Sequence, residues 1–212
     1  ATINGGYVKA VGGEAAAGIG GGHLQPGGEV TISGGEVIAQ GGADGAGIGG
    51  GREKAGGTVI IRGGSIAATG GNLSAGIGGG AYGFGGEVTI SNGTVTAIGG
   101  TNGAGIGAGL NSPGGTVMIT GGSIKAVGNN SDAIGGSGGN KGTGTLTNGT
   151  EPLELRVMEN YVAAEDPEPV NIELAVNRST PDVYSYVYRY FGKGHGAGDT
   201  NLYFYLPVRT AT

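Results

Sequence analysis

Cysteine and tryptophan are both missing from this 212-residue chain, and charged side chains make up only 13% of it. Without cysteine there is neither a disulfide framework nor thiolate chemistry, and the redox compartment is left open. Basic residues are few: 11 Lys and Arg stand against 16 Asp and Glu, for a formal net charge of −5. No basic stripe exists to hold a polyanion, so nucleic acid is not an expected partner. No apolar run approaches the roughly 18 residues that signal a membrane span. A charged, apolar and small-residue leader is lacking too, so nothing in this stretch inserts into a membrane or directs secretion. Ala1 opens directly on a repeat, which reads as a mature or excised fragment. Aromatic residues are scarce, and nine of the twelve Tyr and Phe lie after position 145.

Glycine is what the chain has instead. Of its 55 glycines, 50 precede position 146, so the chain divides into two materials, residues 1–147 and 148–212. The glycines do not recur every third residue, and Val and Ile return regularly between them, which argues against both collagen and a disordered Gly-rich tract. The hexapeptide Ala-Gly-Ile-Gly-Gly-Gly stands at 17–22, 46–51 and 75–80 and nearly intact at 104–109, each 29 residues after the last. A decayed fifth copy, Ala133-Ile134-Gly135-Gly136-Ser137-Gly138, has lost one glycine and is expected in the same register. A fixed period of this length means stacked structural units.

Each unit carries two alternating runs. Val30-Thr31-Ile32 has equivalents at Ile3, Ile61, Ile90 and Ile119, and Val37 with Ala39 has equivalents at Val8, Ile66, Val95 and Ile124 with their alanines. β-Branched residues at period two read as strands with one buried face. The hexapeptide reads as a short third strand, Ala17 and Ile19 inward and Gly18 and Gly20 outward. Three short strands per 29-residue unit, with no hairpin signal, describe an all-β, right-handed parallel β-helix of five coils, rising roughly 24 Å at the usual strand spacing. The Gly pairs at 5 and 6, 12 and 13, and 27 and 28 recur each turn. They mark corners that need φ > 0 or close backbone approach.

From Leu146 the unit fails. Leu153, Leu155 and Val157 form one stripe, Val170, Ile172, Leu174 and Val176 another, and Tyr184, Tyr186, Tyr188 and Tyr190 a third. These predict antiparallel strands, with 183–191 and 202–206 joined by the Gly-rich segment 192–201 as a long hairpin. Residues 148–212 are thus expected to form a small β-sandwich or a sheet capping the last coil.

The iterated AGIGGG with GG[ET]VTISGG, followed by a tyrosine strand and a closing Leu-Tyr-Phe-Tyr-Leu-Pro at 202–207, resembles repeat modules of large multidomain surface proteins of Gram-positive gut bacteria. The similarity covers nearly the whole chain. It implies an extracellular, cell-surface location and an adhesin-like or carbohydrate-binding role. It carries no functional residues over.

Several sites are weighed on the residues themselves. Gly18-Ile19-Gly20-Gly21-Gly22 looks like a phosphate-cradling loop, but such a fingerprint occurs once, before a helix, not in five copies. Only Asp44 and Asp132 lie near glycines suited to a calcium-binding β-roll, so neither metal nor another cofactor is expected. The scattered Glu14, Glu29, Glu36, Asp44, Glu53, Glu87 and Asp132 form no catalytic pair. A polysaccharide lyase or glycosidase on this scaffold stays the alternative, since such enzymes need paired carboxylates. Outward Thr2, Thr31, Thr89 and Thr147 form a hydroxyl ladder that Ile60 and Met118 interrupt, a poor ice surface. The strip Gly18, Gly47, Gly76 and Gly105 offers a side-chain-free face for lateral self-association. One corner varies while its flanks stay constant: His23 to Pro26, Arg52 to Ala55, Ala81 to Phe84 and Leu110 to Pro113. Variable loops on a rigid scaffold are where binding concentrates. Tyr82 and Phe84, flanked by Arg52 and Lys54 one coil earlier and Asn111 one coil later, with His23 further along, are therefore the candidate contact residues for a glycan or a surface protein.

Overall fold

The computed structural model describes residues 1–140, 143–147, 152–158 and 202–207. Its coil region is a parallel β-solenoid of about five coils with three strands in each. Strands Thr2–Ile3, Glu29–Ile32, Thr58–Ile61, Glu87–Ile90, Thr116–Ile119 and Thr145–Thr147 stack into the first face. Tyr7–Val11, Glu36–Gln40, Ser65–Thr69, Thr94–Ile98 and Ser123–Val127 form the second, and the two-residue strands from Ile19–Gly20 to Ile134–Gly135 form the third. Every pairing among these strands is parallel.

Register follows the 29-residue period. Val30 pairs with Val59, Val37 with Ile66, and Ile48 with Ile77, so like sits on like along the axis. Those columns of Val, Ile and Ala are buried and form one continuous core cluster. On the outside, Glu29 pairs with Thr58 and Thr58 with Glu87, so the two carboxylates stand two rungs apart and avoid the repulsion of directly opposed like charges. The interrupted ladder Thr2, Thr31, Ile60, Thr89, Met118, Thr147 is also one column.

The third strand corrects two expectations. Gly47, Gly76 and Gly105 do not face solvent; they are buried. A Cβ on Gly47 would lie 2.6 Å from the Gly76 carbonyl oxygen and 2.7 and 2.9 Å from the backbone N and O of Thr69. The strip therefore packs against the end of the second-face strand one coil on and offers no free face for a second copy. The corner at Gly41 and Gly42 is also not a left-handed turn, since neither residue has φ > 0. Glycine is required there by contact: a Cβ on Gly42 would overlap the carbonyl group of Gly13, its equivalent one coil below. Positive φ falls at the other two recurrent pairs, as at Gly6 and Gly28, and within the third strand, where Gly49 adopts +138°.

In the fifth coil the run before the third strand is one residue shorter, since Ile134 pairs with Ile106 at a spacing of 28, and the period of 29 is restored at Thr145, which pairs with Thr116. Hydrogen bonding accordingly puts Asp132, not Ala133, in the place of Ala104: Ala104 N–H donates to Ala108 O, and Asp132 N–H to Gly136 O. In earlier coils the glycine after the third strand donates to the next coil, Gly21 to Gly49, Gly50 to Gly78 and Gly79 to Gly107. At Gly136 that N–H is taken by the Asp132 carboxylate at 3.0 Å. A buried side chain thus stands in for the carbonyl of a further coil.

Beyond the last parallel strand the first face continues with antiparallel neighbours. Pro152–Met158 pairs with Thr145–Thr147, and Leu202–Pro207 pairs with Pro152–Met158. The described partner of 202–207 is 152–158, and the expected pairing with 183–191 lies outside the described residues. The tyrosine strand and the stripe Val170 to Val176 lie outside the described residues.

Two sets of variants test this account by thermal and urea unfolding. Gly13 is the equivalent of Gly42 in the first coil, where nothing lies within 4 Å of an added Cβ. Gly13→Ala should be neutral or stabilising by about 0.4–1 kcal/mol, through the unfolded chain. Gly42→Ala and Gly47→Ala should each lose more than about 3 kcal/mol or fail to fold, because backbone cannot move aside. Asp132→Ala should cost about 1–3 kcal/mol, the penalty of a stranded buried N–H, while Asp132→Asn, which keeps an acceptor, should cost less.

Candidate binding surface

Two tight turns flank the third strand in each coil. In the first coil Ala16 N–H donates to Gly13 O and Gln25 N–H to Gly22 O, while between them Ala17 N–H donates to Gly21 O. The chain therefore dips inward between two protruding turns and places Ile19 at the bottom of the dip, against the core. The two rows of turns are sewn diagonally. Arg52 N–H donates to Ala15 O at 3.0 Å, Ala81 N–H to Asp44 O at 3.0 Å, and Leu110 N–H to Leu73 O at 2.8 Å. Side chains from different corners of successive coils are brought together by this stitch.

The turn that varies in sequence is also conformationally marked. Leu24, Glu53, Tyr82 and Asn111 occupy one position in four successive coils, and all are left-handed, with φ of 54°, 60°, 59° and 55°. Asn tolerates this region, but for other L-residues it costs about 1–2 kcal/mol. Glycine would remove that cost. Among the described residues the chain places glycine at sixteen other positive-φ positions, and Asn130 is the one further exception. At this corner it keeps Leu, Glu and Tyr, whose side chains the turn pushes outward: Leu24 is 43% and Tyr82 46% exposed. Side chains held out at an energetic cost and unused by the core make this corner the candidate contact surface.

The predicted residues fall into two groups. Tyr82 and Phe84 are both exposed, Phe84 at 60%, and stand on the outer ridge with Asn111. By the coil spacing Tyr82 stands between Glu53 and Asn111, not beside Arg52 and Lys54 as the sequence implied. Arg52 belongs to the column of Ala81. Its Nη1 lies 3.4 Å from Asp44 Oδ2 and its Nε 3.2 Å from Glu53 Oε1, exposed pairs each worth about 0–1 kcal/mol, so they orient Arg52 more than they stabilise the fold. Lys54 is half-buried, and its carbonyl accepts from Gly80 N–H. His23 and Arg52 meet in a cleft of about 440 Å³ lined also by Gly13, Glu14, Ala15, Ala16 and Asp44. Sequence reasoning passed over Leu24, Glu14 and Asp44 as contact residues. The recurrent Leu-Glu-Tyr-Asn column could have found the first, but Glu14 and Asp44 sit in the other row of turns, and only the diagonal stitch joins them to Arg52.

Among the described residues no three His, Asp or Glu side chains are grouped to hold a metal ion, and no helix is long and apolar enough to cross a membrane.

These features define the class: a parallel β-solenoid whose coils share one core and differ at their turns. The comparisons agree. The model of the β-helix repeat family matches residues 2–23, 30–52, 59–81 and 88–110, one segment in each of the first four coils, so the coil region is a β-helix repeat module. No curated protein and no solved structure matches the chain.

The left-handed corner can be tested by stability alone. Leu24→Gly and Glu53→Gly should unfold at the same temperature as the parent or higher, because relief of about 1–2 kcal/mol offsets the 0.5–1 kcal/mol entropic cost of glycine. Leu24→Val should lower the midpoint, since a β-branched residue fits this region worst.

Proposed function

We propose that the chain is a non-catalytic extracellular module of a cell-surface protein, adhesin-like, which holds a binding corner on a rigid coil stack and meets a glycan or a host-surface protein there. The observation that carries this reading is the column of strained, exposed side chains at Leu24, Glu53, Tyr82 and Asn111. Exposed rings give large contact area at small rotamer cost, which suits a sugar face, and Tyr82 and Phe84 supply two. The resemblance to Gram-positive surface repeats supports the same setting. A spacer role is compatible with it, because the coils form one continuous rod.

A carbohydrate-processing enzyme is the second reading, favoured by one observation: Glu14, His23 and Asp44 line the same cleft. A panel of polysaccharides assayed for reducing ends and for unsaturated uronate absorbance separates the two. We expect no turnover. Turnover abolished by Asp44→Asn or Glu14→Gln would establish the enzyme instead. For binding, the Tyr82→Ala, Phe84→Ala double variant should keep its fold and thermal midpoint, since both rings are exposed, and lose the glycan-array or cell-surface signal of the parent. Retained binding with an intact fold would move the site elsewhere.

A further inference from the structure

Four polar side chains of the cleft, Glu14, His23, Asp44 and Arg52, are assigned no role by the fold. They come from four turns: Glu14 from the second corner of the first coil, Asp44 from that of the second, and His23 and Arg52 from the variable corner of the same two coils. Asp44 N–H donates to Glu14 O at 3.0 Å, so the two acids occupy adjoining rungs. Arg52 bridges the rows: its backbone is tied to Ala15, and its guanidinium lies 3.4 Å from Asp44 and 3.2 Å from Glu53. The guanidinium charge is thus already met by carboxylates, and Glu14 adds a further one. Of the lining residues Glu14 and Asp44 carry carboxylates and Arg52 the one fixed cation, a formal balance of −1, to which Glu53 on the adjoining ridge adds a further carboxylate. Such a cleft repels an anion and offers hydroxyl-bearing ligands a row of carboxylate acceptors beside a guanidinium donor.

The aromatic ridge adjoins this cleft. Ala81, immediately before Tyr82, donates its N–H to the carbonyl of Asp44, and Glu53 donates its own to the carbonyl of Ala81. From Glu14 to Tyr82 the path climbs two rungs, roughly 10 Å along the axis. An apolar platform therefore stands at one end and a hydrogen-bonding cleft at the other, which is the pairing a pyranose needs: its C–H face lies on a ring while its hydroxyls reach charged acceptors.

We infer that the cleft of Glu14, His23, Asp44 and Arg52 is the polar subsite of a groove for a neutral oligosaccharide lying along the solenoid axis, its next residue stacked on Tyr82. This rests on the glycan reading above and narrows it to uncharged sugars, excluding uronate- and sialate-bearing chains.

The test uses the full chain and three immobilised sets of oligosaccharides, neutral, uronate-bearing and amino-sugar, with titration calorimetry on the best binder. Asp44→Asn and Glu14→Gln preserve shape, and Glu36→Gln on the second face serves as control. Binding to the neutral set, weakened about tenfold or more by Asp44→Asn and by Glu14→Gln but not by Glu36→Gln, with unchanged circular dichroism and midpoint, is the expected result. A preference for the uronate or amino-sugar set overturns the inference. So does binding that falls with Tyr82→Ala, Phe84→Ala but is untouched by both cleft variants, an outcome that leaves the glycan reading standing. A parent that binds none of the three sets overturns both.

Discussion

The closest constraint on this molecule is the distance between backbones of successive coils. Parallel strands stack at about 4.8 Å, and away from the strands the chain keeps that spacing around corners where no side chain fits. Gly42 over Gly13, Gly71 over Gly42 and Gly100 over Gly71 each place an absent Cβ against the carbonyl of the residue one coil below. At Gly13, the equivalent position in the first coil, nothing lies within 4 Å of an added Cβ. At these positions glycine is a demand of stacking rather than of turn shape. It permits a narrow cross-section with no aromatic residue in its core, filled by two β-branched rows from the first face and one from each of the other two, plus alanine.

The same constraint explains where chemistry can reside. Every position that faces inward or toward a neighbouring coil is fixed in size, so variation is pushed to the turns. The variable turn then uses the one backbone region that throws side chains away from the stack, and the diagonal stitch from Arg52 to Ala15 and from Ala81 to Asp44 lends it the polar residues of the other row. A rigid lattice with one free edge is a general way to present a binding surface without disturbing the core that holds it.

Much of the fold was legible because β-branched residues report their own direction. Val30, Ile32, Val37 and Ile48 are inward wherever the period puts them, and the columns pair as the period demands. Glycine reports no direction. Gly47 was taken as outward by simple alternation after Ala46, whereas burial by Thr69 decides its side. Asp132 was hidden for another reason: it replaces a carbonyl, not a side chain, so no column of like residues points to it. The site was half legible. Tyr82 and Phe84 stood out as rare rings in a variable turn, but φ leaves no mark in the letters Leu, Glu and Tyr. Glu14 and Arg52 are 38 residues apart, off the 29-residue beat by the step between corners.

Asp132 bears on more than local stability. A solenoid grows as a templated polymer does, each coil offering the next a ready row of donors and acceptors, and an open row is the hazard by which such stacks recruit foreign strands. By turning its own carboxylate onto Gly136, the fifth coil answers its own template and acts as a chain terminator on that face. One side chain thereby closes that donor to a foreign strand, while the first face runs on through Thr145–Thr147 and Pro152–Met158.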